Sequence, residues 1–136
     1  MSIETVHADW VKDQVFILKD HLDFPIVMTQ PNGANGADLL PLSLIGCAVW
    51  DVQSILIKQR QPITAISVTA DSEREDEAPW RFLKIHIHYT IRGRRLEEKQ
   101  VKKAIELAET KYCSIYATLK AAIEIDSDFE ILNQTE

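Results

Sequence analysis

The spacing of apolar positions changes along this chain, and each change predicts an element. Residues 3–29 read as two or three short antiparallel strands, with Val15–Leu18 and Phe24–Met28 as the clearest β-branched and aromatic runs. Val11–Gln14 and Asp20-His21 supply the turns between them. Pro25 suits an edge strand or the first residue of one, since it has no N–H for a ladder. Gln30–Gly36 predicts a loop from Pro31, Asn32-Gly33 and Asn35-Gly36. Asn35 can cap the helix that follows, and Asp38, three residues on, can reach back to it.

From Leu39 to Trp50 every position but Ser43 is apolar, counting Pro41 and Gly46 as non-polar. Such a run predicts a helix buried on every side. Taken alone the run is short for a bilayer, and Asp51 ends it. Beyond Asp51 the pattern turns amphipathic, with Val52, Ile55 and Leu56 set against Gln53, Lys58, Gln59 and Arg60. The helix is expected over about 36–60, with Pro62 stopping it.

Ile63–Ala70 then alternates as a strand, and the charged run Ser72–Ala78 predicts a turn. Phe82–Arg92 has the clearest period of two: Leu83, Ile85, Ile87, Tyr89 and Ile91 face one way, Lys84, His86, His88, Thr90 and Arg92 the other. Gly93 turns the chain into an amphipathic helix, Leu96–Lys111, with Val101, Ala104, Ile105 and Ala108 inward. A break near Tyr112 separates it from a second helix, Cys113–Ala121. Ile123, Ile125, Phe129 and Ile131 predict a last strand, or a hairpin across Asp126–Asp128. The order βββ-α-ββ-αα-β predicts an α+β fold in one domain over 1–136, with a large antiparallel sheet covering the central helix. Its parts are strands at 3–29, the central helix, strands at 63–92, helices at 96–121 and a strand at 122–131.

Composition narrows the function classes. The 136 residues are 46% hydrophobic and 26% charged, ordinary for a globular chain. A net charge of −6 argues against nucleic acid or an anionic membrane as partner. Glu4, Asp9, Asp13 and Asp20 interrupt the stretch where a secretory signal would need an apolar core, so a cytoplasmic location is expected. Two cysteines in that compartment are catalytic, metal-binding or simply buried more often than they are a structural disulfide.

Cys47 lies inside the apolar helix, and Cys113 opens the last one. Their separation fits no spacing motif, so the residues alone leave open whether they meet. If they do, the pair supports a redox cycle in which one thiol becomes a sulfenic acid and the other resolves it. Asp51, four residues after Cys47, works against a thiolate there. Two buried structural cysteines are the plainer reading. His86 and His88 share a strand face that could offer two metal ligands, but a third is missing nearby and the face otherwise carries Lys84, Thr90 and Arg92. A solvated face is the expectation there.

Several motifs, in order, resemble the OsmC/Ohr family. These are Asn35–Leu40 running into Ser43–Cys47 and Asp51-Val52; the strand Ile85–Tyr89 with Gly93; Val101, Ala104-Ile105-Glu106; and Lys111–Ser114 followed by Ile123–Ile125. The resemblance covers roughly residues 32–131, and both cysteines fall at family positions. It implies an OsmC-like fold, with sheets wrapped around long central helices in an intertwined homodimer. It also implies a cofactor-free thiol peroxidase for organic hydroperoxides, with Cys47 attacking, Cys113 resolving and an external dithiol as reductant. The characterised peroxidases place a glutamate ten residues before the first cysteine and an arginine in the N-terminal strands. Here Ala37 stands at the first place, and residues 1–59 hold no arginine. The alternative is a non-enzymatic member that binds a small hydrophobic ligand beside the central helix.

Overall fold

Short polar turns fold the first stretch of chain into a three-stranded antiparallel meander. Its strands are β1 (His7–Lys12), β2 (Val15–Lys19) and β3 (Pro25–Met28), in that spatial order. Asp13, at φ +48°, makes the tight turn between β1 and β2, and its carbonyl accepts the Trp10 indole N–H at 2.9 Å. The Asp20 carboxylate accepts the Leu22 and Phe24 amides at 2.9 Å each, an Asx turn that starts β3. Pro25 therefore opens an edge strand, where its missing donor costs nothing. The computed structural model describes residues 1–135, which form two compact units, Met1–Leu40 and the chain from Pro41 onward.

Asn35 and Asp38 exchange hydrogen bonds at the threshold of the long helix. The Asp38 amide donates to Asn35 Oδ1 and the Asn35 amide group to Asp38 Oδ2, each at 3.0 Å. Helix α1 follows as Leu39–Lys58, with Pro41 in its first turn, where backbone N–H groups have no partner within the helix in any case. The amphipathic extension makes α1 20 residues long, enough by length and composition to cross a membrane. Only one stripe of it is buried, Leu44, Ala48, Val52 and Leu56 at a spacing of four. Leu42, Trp50 and Ile57 stay more than half exposed. Burial on every side, expected from the sequence, is thus not met within one chain.

The larger unit holds the second sheet, β4 (Ile63–Arg74), β5 (Phe82–Gly93) and β6 (Glu124–Asn133). β5 is central, and its Ile85, Ile87, Tyr89 and Ile91 are fully buried. Two features depart from the sequence expectation. Ser72–Arg74 belong to β4, because their backbones pair with β5 whatever their side chains; the turn is confined to the residues after Arg74. More importantly, β6 runs parallel to β5, not antiparallel. Helices between the two strands return the chain to its starting end, which a parallel pair requires. Asp126–Asp128 form no hairpin for the same reason: they lie in one continuous strand, with Asp126 and Asp128 outward and Ser127 on the opposite face.

The returning segment is α2 (Glu98–Leu107), a single π-helical turn (Ala108–Tyr112) and α3 (Ser114–Leu119). Val101, Ala104, Ile105 and Ala108 face the interior as expected. Gly93 ends β5 where the backbone leaves no room for a side chain: a Cβ there would lie 2.4 Å from the Pro62 carbonyl oxygen and 3.0 Å from Ile63 Cα.

Candidate functional site

Cys113 is where the returning segment changes direction. Its N–H closes the π turn on the Ala108 carbonyl at 2.8 Å, and its own backbone is extended. That break turns the thiol back onto the start of α3, where its sulfur accepts the Tyr116 amide at 3.3 Å. The residue is 2% exposed. Burial pushes its thiol up to about 11, against the smaller opposing effect of the amides of Tyr116 and Ile115. At neutral pH Cys113 is therefore a protonated thiol.

The Cys47 thiol is near enough to push the Cys113 thiol up a little further. The middle of α1 thus brings the first cysteine against the second, and both are free thiols. Cys47 is half-buried, so it is the more accessible of the two. Neither the distance in sequence nor the surrounding motifs required this meeting; the packing of α1 and the π turn in one core produces it.

Around Cys113 lies a set of polar side chains that sequence reasoning missed. Tyr89 donates its hydroxyl to Glu109 Oε2 at 2.8 Å, and Ser127 donates to Oε1 at 3.0 Å. Burial holds the Glu109 carboxyl above the usual carboxylate range, while the two hydroxyl donors act the other way. The Tyr89 hydroxyl is pushed far up, first by burial and then by the neighbouring Glu109 carboxylate. Tyr116 is raised too, by burial and by Glu109. A signal for Glu109 was present: it continues the buried stripe Val101, Ile105 at the same spacing of four. Tyr89 was legible as an inward residue of β5, but not its polar role.

His86 and His88 are elsewhere, on the outer face of β5. The parallel register sets His86 beside Asp126 and His88 beside Asp128. His86 Nδ1 pairs with Asp126 and Nε2 with Asp128, at 2.5 and 3.3 Å. His88 Nδ1 pairs with Asp128 and Nε2 with Glu130, at 2.6 and 3.4 Å. Both rings are partly exposed, and both are raised above the ordinary imidazole value, chiefly by these carboxylate hydrogen bonds. With a carboxylate at each nitrogen, the doubly protonated ring is the form that fits. Among the described residues no group of three or more such side chains is arranged to hold a metal ion.

Comparison with known proteins gives a consistent answer. Residues 29–128 match the family described as OsmC-like protein. Protein YhfA of Escherichia coli is 32% identical over 126 residues, covering 90% of this chain and 94% of that one. A crystal structure of a hypothetical protein from Aquifex aeolicus shares 27% identity and a TM-score of 0.82, covering 98% of this chain and 100% of that one. The organic hydroperoxide resistance protein OhrB of Bacillus subtilis has the same fold at 12% identity and a TM-score of 0.61, covering 95% and 98%.

Proposed function

Since the chain belongs to the OsmC-like protein family, we propose that it is a thiol peroxidase for organic hydroperoxides. The observation that carries this reading is the nearness of two free thiols, Cys47 and Cys113, in such a chain. The accessible Cys47 sulfur attacks the distal peroxide oxygen. The O–O bond breaks, an alcohol leaves with a proton, and Cys47 becomes a sulfenic acid. The Cys113 sulfur then displaces the sulfenic hydroxyl, which leaves as water with the thiol proton, and a disulfide forms. Two thiols of an external dithiol reduce that disulfide by exchange, returning both cysteines. A buried, protonated Cys113 suits the second role better than the first, because an un-ionised thiol is a poor nucleophile towards free peroxide.

The reading places the enzyme in the cytoplasm, as a homodimer whose partner copy covers the open apolar faces of α1. Stopped-flow consumption of cumene hydroperoxide is the test, with Cys47→Ser as control. A fast reaction lost in the variant is expected; equal slow rates for both proteins would refute the peroxidase.

A second reading has its own support. The peroxidase glutamate and arginine have no counterparts at Ala37 or in residues 1–59. A groove of about 890 Å³ lies against α1, lined by Val49, Trp50, Ile57 and Ile66 among others. A non-enzymatic protein holding a small hydrophobic ligand there would reveal it as co-purified mass in native mass spectrometry.

A further inference from the structure

Glu109 is the one charged side chain buried among the described residues, 6% exposed. Placing a carboxyl in the interior is costly unless hydrogen bonds compensate it. An apolar side chain would continue the stripe of Val101 and Ile105 without that cost. What a carboxyl does here, and an apolar group cannot, is join three elements. Its own backbone is in the π turn, its Oε2 takes the Tyr89 hydroxyl from β5, and its Oε1 takes the Ser127 hydroxyl from β6.

That turn is also what carries Cys113. The wide turn closes through the Cys113 N–H on Ala108, three residues of chain separate Glu109 from Cys113, and the backbone leaves the helix at Cys113 itself. Single π turns of this kind recur at functional sites. We propose that Glu109 is a positioning residue for Cys113, clamping the π turn to β5 and β6 so that the second thiol is held against Cys47. The proposal rests on the reading of the two cysteines as a redox pair, and not on the identity of the oxidant.

The clamp has a charge-dependent form. An ionised carboxylate accepts from both hydroxyls. Once protonated, one of its oxygens carries a hydrogen, and one hydroxyl must turn from donor to acceptor or be lost. The groups facing Glu109 are Tyr89 from β5, Ser127 from β6 and Tyr116 from α3, and the pocket it borders is also lined by Glu98, Lys102 and Glu106 of α2 and by Asp128 of β6. Burial moves this protonation upward from the ordinary glutamate range. Disulfide closure in the wild type should therefore change with pH in a way that a glutamine cannot reproduce.

Diamide provides a test independent of peroxides. It takes up the two thiol protons and two electrons, becoming the hydrazine as the sulfur–sulfur bond forms. Closure in the full-length protein is followed by quenched alkylation and intact mass across the acidic to neutral range. For Glu109→Gln the expected result is closure slowed about tenfold, a modest share of what misplacing a reacting group can cost, with the pH dependence reduced to that of thiol ionisation. Wild-type rate and pH profile in Glu109→Gln would overturn the proposal, as would a wild type that forms no disulfide. Should Glu109→Gln fail to fold by near-ultraviolet circular dichroism, Tyr89→Phe and Ser127→Ala each remove one arm. Both are expected to slow closure, and wild-type rates in both overturn the proposal. Closure with diamide but no consumption of hydroperoxide would refute the peroxidase and leave the clamp standing.

Discussion

Cys113 and Cys47 are neighbours, close enough for the Cys47 thiol to raise that of Cys113, although one sits at the edge of a π turn and the other in the middle of the longest helix. The two differ in access: Cys113 is buried and raised to about 11, while Cys47 is half-buried. Replacing Cys113 by serine should leave the first turnover with hydroperoxide intact and block the second. Cys47 sulfenic acid then accumulates and is trapped by dimedone, seen as an adduct by mass spectrometry. Full multiple-turnover activity in Cys113→Ser would show that resolution does not use this thiol.

The Tyr89–Glu109 hydrogen bond connects a fully buried phenol to a buried carboxyl. Tyr89→Phe leaves one carboxyl oxygen without its donor, and the expected loss is about 1–3 kcal/mol, the cost of an unsatisfied buried group. Urea denaturation measures it. Glu109 adds a pH dependence of known sign. Its folded pKa is raised, so the native state binds the proton more tightly than the unfolded chain does. Stability should therefore fall as pH rises from 4.5, its ordinary value, through the folded pKa. Glu109→Gln flattens that part of the profile.

The outer ladder of β5 and β6 has a window of its own. His86 and His88 are raised, so what they contribute is fully present below 6.5 and is lost as pH rises through their folded values. Asp126 and Asp128 are lowered, chiefly by hydrogen bonds from these same rings; their contribution is present above 3.8 and lost as pH falls through their folded values. The melting temperature should accordingly be less pH-dependent above neutrality in a His86→Gln, His88→Gln double variant than in the wild type. Exposure keeps the effect small and sensitive to salt. Identical profiles for the two proteins would remove the ladder as a pH-linked element.

Trp50 and Ile57 lie two turns apart on α1, 75% and 54% exposed. On the homodimer reading, Trp50→Glu with Ile57→Glu shifts the mass measured by light scattering from two chains to one. An unchanged mass in this variant would place any self-association elsewhere.

Gly93 offers a check on the fold itself. Gly93→Ala drives a methyl into the Pro62 carbonyl and should destabilise by about 1–3 kcal/mol, the usual range for overpacking. A melting temperature equal to wild type would mean that the Pro62 segment moves freely.

Local patterns in the sequence determined much of this protein. Period two in Phe82–Arg92 set the faces of β5, and the Asn35–Asp38 exchange set the approach to α1. Proline and glycine marked the loops, and the motifs around both cysteines already resembled the family to which the chain belongs. These features depend on neighbours a few residues apart, which the sequence displays directly. Tertiary structure alone decided the rest. The parallel direction of β6 follows from how α2, the π turn and α3 cross back, and no single strand encodes it. That crossing sets His86 against Asp126 and Tyr89 against Glu109. It also decides which side of α1 is covered: an apolar run states that a helix seeks burial, while one three-stranded sheet has a single inner face and covers a single stripe. Packing brought Cys47 to Cys113 as well, because contact between distant residues is a property of the assembled core and leaves no spacing to read.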